Sequence, residues 1–199
     1  MRLRVYVALF SLATAATLYA ADAPRKSAPS AEEKAMMEAM MKAATPGEAH
    51  KKLDAVVGTW DSKVTMWMAL GAPPMVSPGT STNQWVLGGR YLEQKVTGSF
   101  MGMPFNGLGY TGYDNVKKEY FGTWMDNMGT GVMLSTGAMD AANHWTFKGS
   151  MPDPVTGKDA PFEEHMSMPD HDHMTFDMWS PGPDGKMIKM MEISYSREK

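Results

Sequence analysis

The sequence has 199 residues, and its 19 basic and 22 acidic side chains give a formal net charge of −3. This balance excludes the concentrated basic surface that nucleic-acid binding requires. Cysteine is absent, which excludes disulfide bonds, a thiol nucleophile and every cysteine-bound metal site.

The first twenty residues have the pattern of a secretory signal peptide. Arg2 and Arg4 precede a mainly apolar run at 5–18, and small residues ending at Ala20 or Ala23 mark two cleavage positions. We expect cleavage there, export to the periplasm or the extracellular space of a bacterium, and no stable membrane insertion of the mature chain. The alternative is an uncleaved anchor, although the run is shorter than the roughly 20 residues that span a bilayer.

Short helices are predicted over residues 30–57, after a flexible, proline-containing lead-in at 21–29. Ser30 and Glu33 have the capping-box spacing that begins a helix, and a second start follows at Thr45. The first helix carries a stripe of methionines at Met36, Met37, Met40 and Met41. We interpret this stripe as a packing surface for the rest of the chain or a partner, with metal binding as the alternative.

From Gly58 the hydrophobic period changes from helical to alternating. In "GTWDSKVTMWM" the residues Trp60, Val64, Met66 and Met68 are apolar and alternate mainly with polar ones. Similar runs follow at about 80–87, 90–100, 105–113, 118–126, 130–139, 143–149, 160–168, 173–180 and 186–196. Tight turns join them, and closure removes exposed strand edges. The sequence therefore predicts a mainly β fold, a single antiparallel up-and-down barrel of about ten strands over residues 58–197.

The start of this barrel carries a family resemblance. Gly58, Thr59 and Trp60, after a short helix, are similar to the first strand of lipocalins and fatty-acid-binding proteins, whose tryptophan closes one barrel end. A longer series resembles a bacterial secreted family, domain of unknown function 1579, over about residues 35–197. Its motifs are "ATPGEAHKKLDAVVGTW", "WVLGGRYLEQ", "FMGMPFNGLGYTGYDNVKKEYFGTWMDNMGTG" and "WSPGPDGKMIKMMEISYSR". This resemblance implies a calycin-type barrel and export, and it implies no activity, cofactor or catalytic residue.

Enzymatic chemistry is the least supported class, because no nucleophile elbow, phosphate loop or His-Glu-x-x-His motif is present. Glu163 and Glu164 are adjacent, so in a strand they point to opposite faces. Glu164 falls on the apolar face with Phe162 and Met166. We interpret it as a strand-end residue at the barrel mouth, and the alternative is a functional group inside the barrel.

The segment "MPDHDHM" contains His171 and His173 between aspartates. Imidazole and carboxylate ligands at this spacing suit loosely bound zinc or copper. Pro169 ends one alternating run before the segment, and Met174 begins the next. We therefore favour a polar hairpin turn, with the metal site as the alternative.

We expect an exported protein that binds a small apolar ligand inside the barrel, without a cofactor. The predicted ligand-contact residues are Trp60, Met66, Tyr110, Trp124, Trp145 and Phe176. Two alternatives stay open. One is periplasmic copper or zinc binding through methionine and histidine, and the other is a filled barrel that acts on another protein.

Overall fold

The computed structural model describes residues 28–199. The predicted signal peptide therefore lies outside the described residues. The described residues divide between 38 and 39 into two units, 28–38 and 39–199. Within the described residues, no helix is both long enough and apolar enough to cross a membrane.

Helix α1 spans Ala31–Ala44 and begins as the sequence predicts. The Glu33 amide donates to Ser30 Oγ at 3.1 Å, and the Ser30 amide donates to Glu33 Oε2 at 2.6 Å. This capping box satisfies two amides that the first helical turn leaves free. No side chain of α1 is buried, and its four methionines are 56–66% exposed.

Two short helical segments precede the first strand. Helix α2 spans Glu48–Lys51, and a 3₁₀ helix follows at Lys52–Val56. The predicted helix start at Thr45 is wrong, because Gly47 is the N-cap. The Thr45 hydroxyl instead donates to the Met41 carbonyl at 2.6 Å, near the C-terminal end of α1.

Ten strands form one closed antiparallel barrel, and β10 returns to pair with β1. The strands are β1 Gly58–Met66, β2 Met75–Val86, β3 Tyr91–Phe100, β4 Met103–Asp114, β5 Glu119–Asp126, β6 Met133–Met139, β7 Trp145–Pro152, β8 Asp159–Ser167, β9 His173–Pro181 and β10 Met187–Arg197. The predicted fold class is confirmed. Several strand bounds differ by a few residues; for example, β2 begins earlier than expected, β6 begins later and β1 ends at Met66. Met68, predicted on the inner face of β1, lies beyond the strand and is 55% exposed.

Strand register defines the inner face of the barrel. Trp60 pairs with Ser81, and Ser62 pairs with Gly79. Successive side chains of a strand point to opposite faces of the sheet. Each such pair therefore determines which face every residue of the two strands occupies. At the end of the barrel where the 3₁₀ helix packs, the inward side chains are large and at most 8% exposed. This closed end holds Leu53, Val56, Trp60, Leu92, Tyr120, Trp145, Phe147 and Met174.

Arg197, the last residue of β10, stabilises the closed end. Its guanidinium carbon lies 4.0 Å from the centre of the Trp60 ring, and its Nη2 donates to the Ala55 carbonyl at 2.8 Å. Gly58 has φ +126°, and a Cβ at this position would lie 2.7 Å from the Arg197 Nη1. The glycine of the Gly-Thr-Trp motif is therefore required by its backbone conformation and by the approach of Arg197.

Candidate functional site: the barrel interior

Several inward positions are glycine in the half of the barrel away from the closed end. Trp124 of β5 lies against Gly107 and Gly109 of β4, and a Cβ on Gly107 would lie 2.2 Å from the Trp124 ring. Gly149 of β7 similarly accommodates Phe162 of β8, where a Cβ would lie 2.7 Å from the Phe162 ring. Because these glycines have no side chain, the rings lie close to the wall instead of filling the interior.

Most inward side chains in this half keep a surface that water reaches. They are half-buried, although Phe162 and Met178 are only 3% and 8% exposed, whereas the side chains of the closed end are almost fully buried. The half-buried inward residues include Val64, Gln94, Val96, Phe105, Trp124, Phe176 and Ile193. An inward side chain with accessible surface borders a space that admits water. We call this space the lumen.

Glu164 faces the lumen from within β8. It lies opposite Phe147 of β7 and Met178 of β9, in inward register. Its carboxylate has one hydrogen-bond partner among the described residues, the Ser135 hydroxyl at 3.5 Å. Burial raises the pKa of Glu164 to about 7, and the Ser135 contact opposes this rise. The strand-end interpretation is therefore wrong, and Glu164 lies inside the barrel, in the interior of β8.

A second polar group lies near Glu164. The Tyr195 side chain of β10 is 6% exposed, and burial raises the pKa of its hydroxyl well above the usual range. The nearby Glu164 charge adds to this rise, while a contact with Gln94 of β3 lowers the Tyr195 pKa. Gln94 also donates to the Ser81 hydroxyl at 3.0 Å. The interior therefore combines apolar walls with a small polar region contributed by distant strands.

Two buried hydroxyls of the inner face have no hydrogen-bond partner among the described residues. They belong to Ser62 of β1, which pairs with Tyr195, and to Ser180 of β9, which pairs with Ile188. A buried hydroxyl without a partner costs free energy.

The structure places the six predicted contact residues in three different environments. Trp60 and Trp145, 0% and 2% exposed, belong to the core of the closed end. Met66, Trp124 and Phe176 are half-buried and in inward register, and Phe176 also packs against the core of the closed end.

Tyr110 is the exception, because it lies on the outer face of the barrel. It pairs with outward-facing Glu93, and its hydroxyl donates to Glu93 Oε2 at 3.0 Å. The prediction that Tyr110 contacts a ligand in the interior is therefore corrected. The sequence analysis also missed Gln94, Ser135 and Tyr195, whose proximity depends on the closure of the barrel.

The two predicted metal-binding histidines lie at the hairpin between β8 and β9, as expected. His171 Nδ1 is 2.8 Å from Asp172 Oδ1, and His173 Nδ1 is 2.9 Å from Asp170 Oδ1. Both imidazoles are more than half exposed. Within residues 28–199, no group of three or more histidine or carboxylate side chains is arranged to hold a metal ion. The metal hypothesis gains no support from this part of the chain.

A surface cleft of about 410 Å³ lies outside the barrel at its closed end. Its lining includes Lys51, Trp145 and Asp170. Two of its charged groups already have partners, since Lys51 pairs with Glu48 and Asp170 with His173. The lumen, with its unpaired carboxylate, is the better candidate for a binding site.

The fold and site define a small closed β-barrel with a partly polar interior. The chain belongs to the family described as "Protein of unknown function (DUF1579)", whose model matches residues 45–197. The resemblance found in the sequence is thus confirmed, over a slightly shorter range. No match was found among the curated proteins.

Two solved structures show the same fold. Rv2717c from M. tuberculosis is 13% identical, with a TM-score of 0.57, over 78% of this chain and 100% of that protein. The S-type phycobiliprotein lyase CPES from Guillardia theta is 11% identical, with a TM-score of 0.57, over 80% of this chain and 97% of the lyase. At these identities the likeness establishes the architecture alone.

Proposed function

We propose that this protein binds a small, mainly apolar molecule in the lumen of its barrel. The observation that carries the proposal is the contrast between the closed end, packed with large side chains, and the open half, where most inward side chains remain accessible. Small barrels commonly enclose one ligand among their inward side chains. A barrel of the same fold serves as a phycobiliprotein lyase, so this architecture supports functions beyond a filled structural core.

The wall of the lumen suits an apolar or aromatic ligand. Trp124 and Phe176 present rings, and Val96 and Ile193 present aliphatic groups. Because the closed end is filled around Trp60, we propose that the ligand enters from the opposite end of the barrel.

Binding is tested with phenylnaphthylamine, an apolar dye whose emission rises in apolar surroundings. We expect saturable binding to the parent protein. Val96→Trp fills the lumen and should weaken dye binding about tenfold or more, the effect of losing ~1.4 kcal/mol. Thr97→Trp is the matched control, because Thr97 is exposed on the outer face of the same strand. Absence of saturable binding, or equal weakening by both variants, would contradict the proposal, provided that circular dichroism shows both variants folded.

We also propose that the protein is exported, which the pattern of residues 1–23 supports. N-terminal sequencing of the protein from its native cells should begin at Ala21 or Pro24, because the cleavage signals end at Ala20 and Ala23. Exported material that begins at Met1 would contradict this proposal.

A further inference from the structure

We propose that the ligand in the lumen carries a protonated nitrogen, which pairs with the Glu164 carboxylate. The inference rests on the proposed function and adds the chemical class of the ligand. It follows from the position of Glu164, from the groups that surround it, and from the contacts that cationic side chains of the protein make away from Glu164.

Glu164 differs from the neighbouring carboxylates in having no cationic partner among the described residues. Glu163, the preceding residue, points outward, and its carboxylate lies 2.9 Å from Lys148 Nζ and 2.9 Å from His165 Nε2. On the outer face of β9, Asp177 lies 2.9 Å from Lys189 Nζ. The only polar contact of Glu164 within residues 28–199 is the 3.5 Å hydrogen bond from Ser135, which is at the limit of hydrogen-bond length.

The elements packed around Glu164 supply no compensating charge. Phe147 faces it from β7 and Met178 from β9, while Ser135 of β6 and Tyr195 of β10 are neutral. A buried carboxylate without a cation is costly unless it is protonated or paired. The site thus favours a ligand that carries a positive charge.

The other charged groups in inward register, among the described strands, do not supply a positive charge beside Glu164. Asp126 of β5 is a second carboxylate, and it accepts a hydrogen bond from Trp124 Nε1 at 2.9 Å. Across the ten described strands, Arg197 is the cation in inward register, and it lies at the closed end over Trp60. It donates there to the carbonyls of Val57 and Ala55. The lumen is therefore negative, and its field attracts cations and disfavours anions.

The acid–base behaviour of Glu164 sets the direction of the pH dependence. Burial raises its pKa to about 7. An adjacent ammonium group favours the ionised carboxylate and so lowers this pKa. Binding of a cationic ligand should consequently be strongest above about pH 7 and should weaken as the pH falls and the carboxyl group takes up its proton.

Three probes with the same alkyl chain test the inference: decylammonium, decanol and decanoate, each displacing phenylnaphthylamine from the lumen. In the parent at about pH 8, we expect decylammonium to displace the dye at a concentration at least tenfold lower than decanol. Glu164→Gln should remove this preference and leave decanol binding unchanged. Glu163→Gln is the matched control and should behave as the parent, because its side chain lies on the outer face. At about pH 5 the preference of the parent should shrink.

The outcomes separate this inference from the proposed function. Dye binding with equal displacement by decylammonium and decanol, or a preference that survives Glu164→Gln, would overturn the ammonium pairing while binding in the lumen stands. A preference for decanoate would also overturn it, since a protonated Glu164 would then be the group that meets the ligand. Failure of the parent to bind the dye or any probe would instead overturn the proposed function itself.

Discussion

Trp60→Ala should lower the free energy of unfolding by about 3–5 kcal/mol, a large part of the stability of a domain of this size. Trp60 is 0% exposed, and its Nε1 donates to the Val56 carbonyl at 3.0 Å. Its ring also lies beneath the Arg197 guanidinium, 4.0 Å from the guanidinium carbon. Alanine would leave a cavity at the closed end and remove both contacts. Urea unfolding followed by circular dichroism measures the loss.

Trp67→Ala is the control for this substitution. Trp67 follows the last residue of β1 and is half-buried, so its truncation should cost about 1 kcal/mol or less. Equal losses for the two variants would mean that Trp60 does not hold the closed end together.

Glu164→Gln should change how stability depends on pH. Burial raises the pKa of this carboxyl group from 4.5 to about 7, so the folded protein binds the proton more tightly than the unfolded chain does. The resulting stabilisation is fully present below about pH 4.5 and is lost as the pH rises through about 7. At ~1.4 kcal/mol for each pKa unit, the loss is about 3 kcal/mol. Glutamine lacks this loss, so the variant should gain stability relative to the parent between about pH 5 and 8.

Urea unfolding at about pH 5 and about pH 8 measures the free energy of unfolding of parent and variant. The difference between the two proteins isolates the contribution of the Glu164 carboxyl group. Glu163→Gln provides the comparison, because Lys148 lowers the pKa of Glu163 and this group therefore has the opposite pH dependence. A Glu164→Gln protein whose stability falls with pH as steeply as that of the parent would show that Glu164 is not buried in the folded state.

The sequence predicts the strands because alternation is a local property of each segment. Ten strands and their closure follow from it, and so does the place of Glu164 on the apolar face, although the predicted strand-end position of Glu164 is wrong. The predicted first residue of β2 is less accurate, because Pro78 and Gly79 are typical of turns. The structure uses Gly79 for a close approach, since a Cβ there would lie 2.9 Å from Ser62 Oγ. The residues next to Gly79 in the sequence give no indication of such a contact with a neighbouring strand.

The error at Tyr110 has a similar cause. In β4 the inward positions on either side of Leu108 are Gly107 and Gly109, and the large side chains Leu108 and Tyr110 occupy the outer face. The apolar pattern of this strand therefore indicates the wrong face. The inward glycines are covered by Trp124 of the next strand. Likewise, the isolation of Glu164 from cations depends on strands far apart in the sequence, and no single segment reveals it.

The pairing of β1 with β10 governs the order in which this chain completes its structure during synthesis. Strand β1 leaves the ribosome early, yet the partner for one of its edges ends at Arg197. Until then the growing sheet has two open edges, which are templates for association with other chains. A contact between strands so distant in sequence also forms slowly, because a long loop must close first. A chain interrupted before Met187 would thus be an open sheet with exposed edges instead of a smaller barrel.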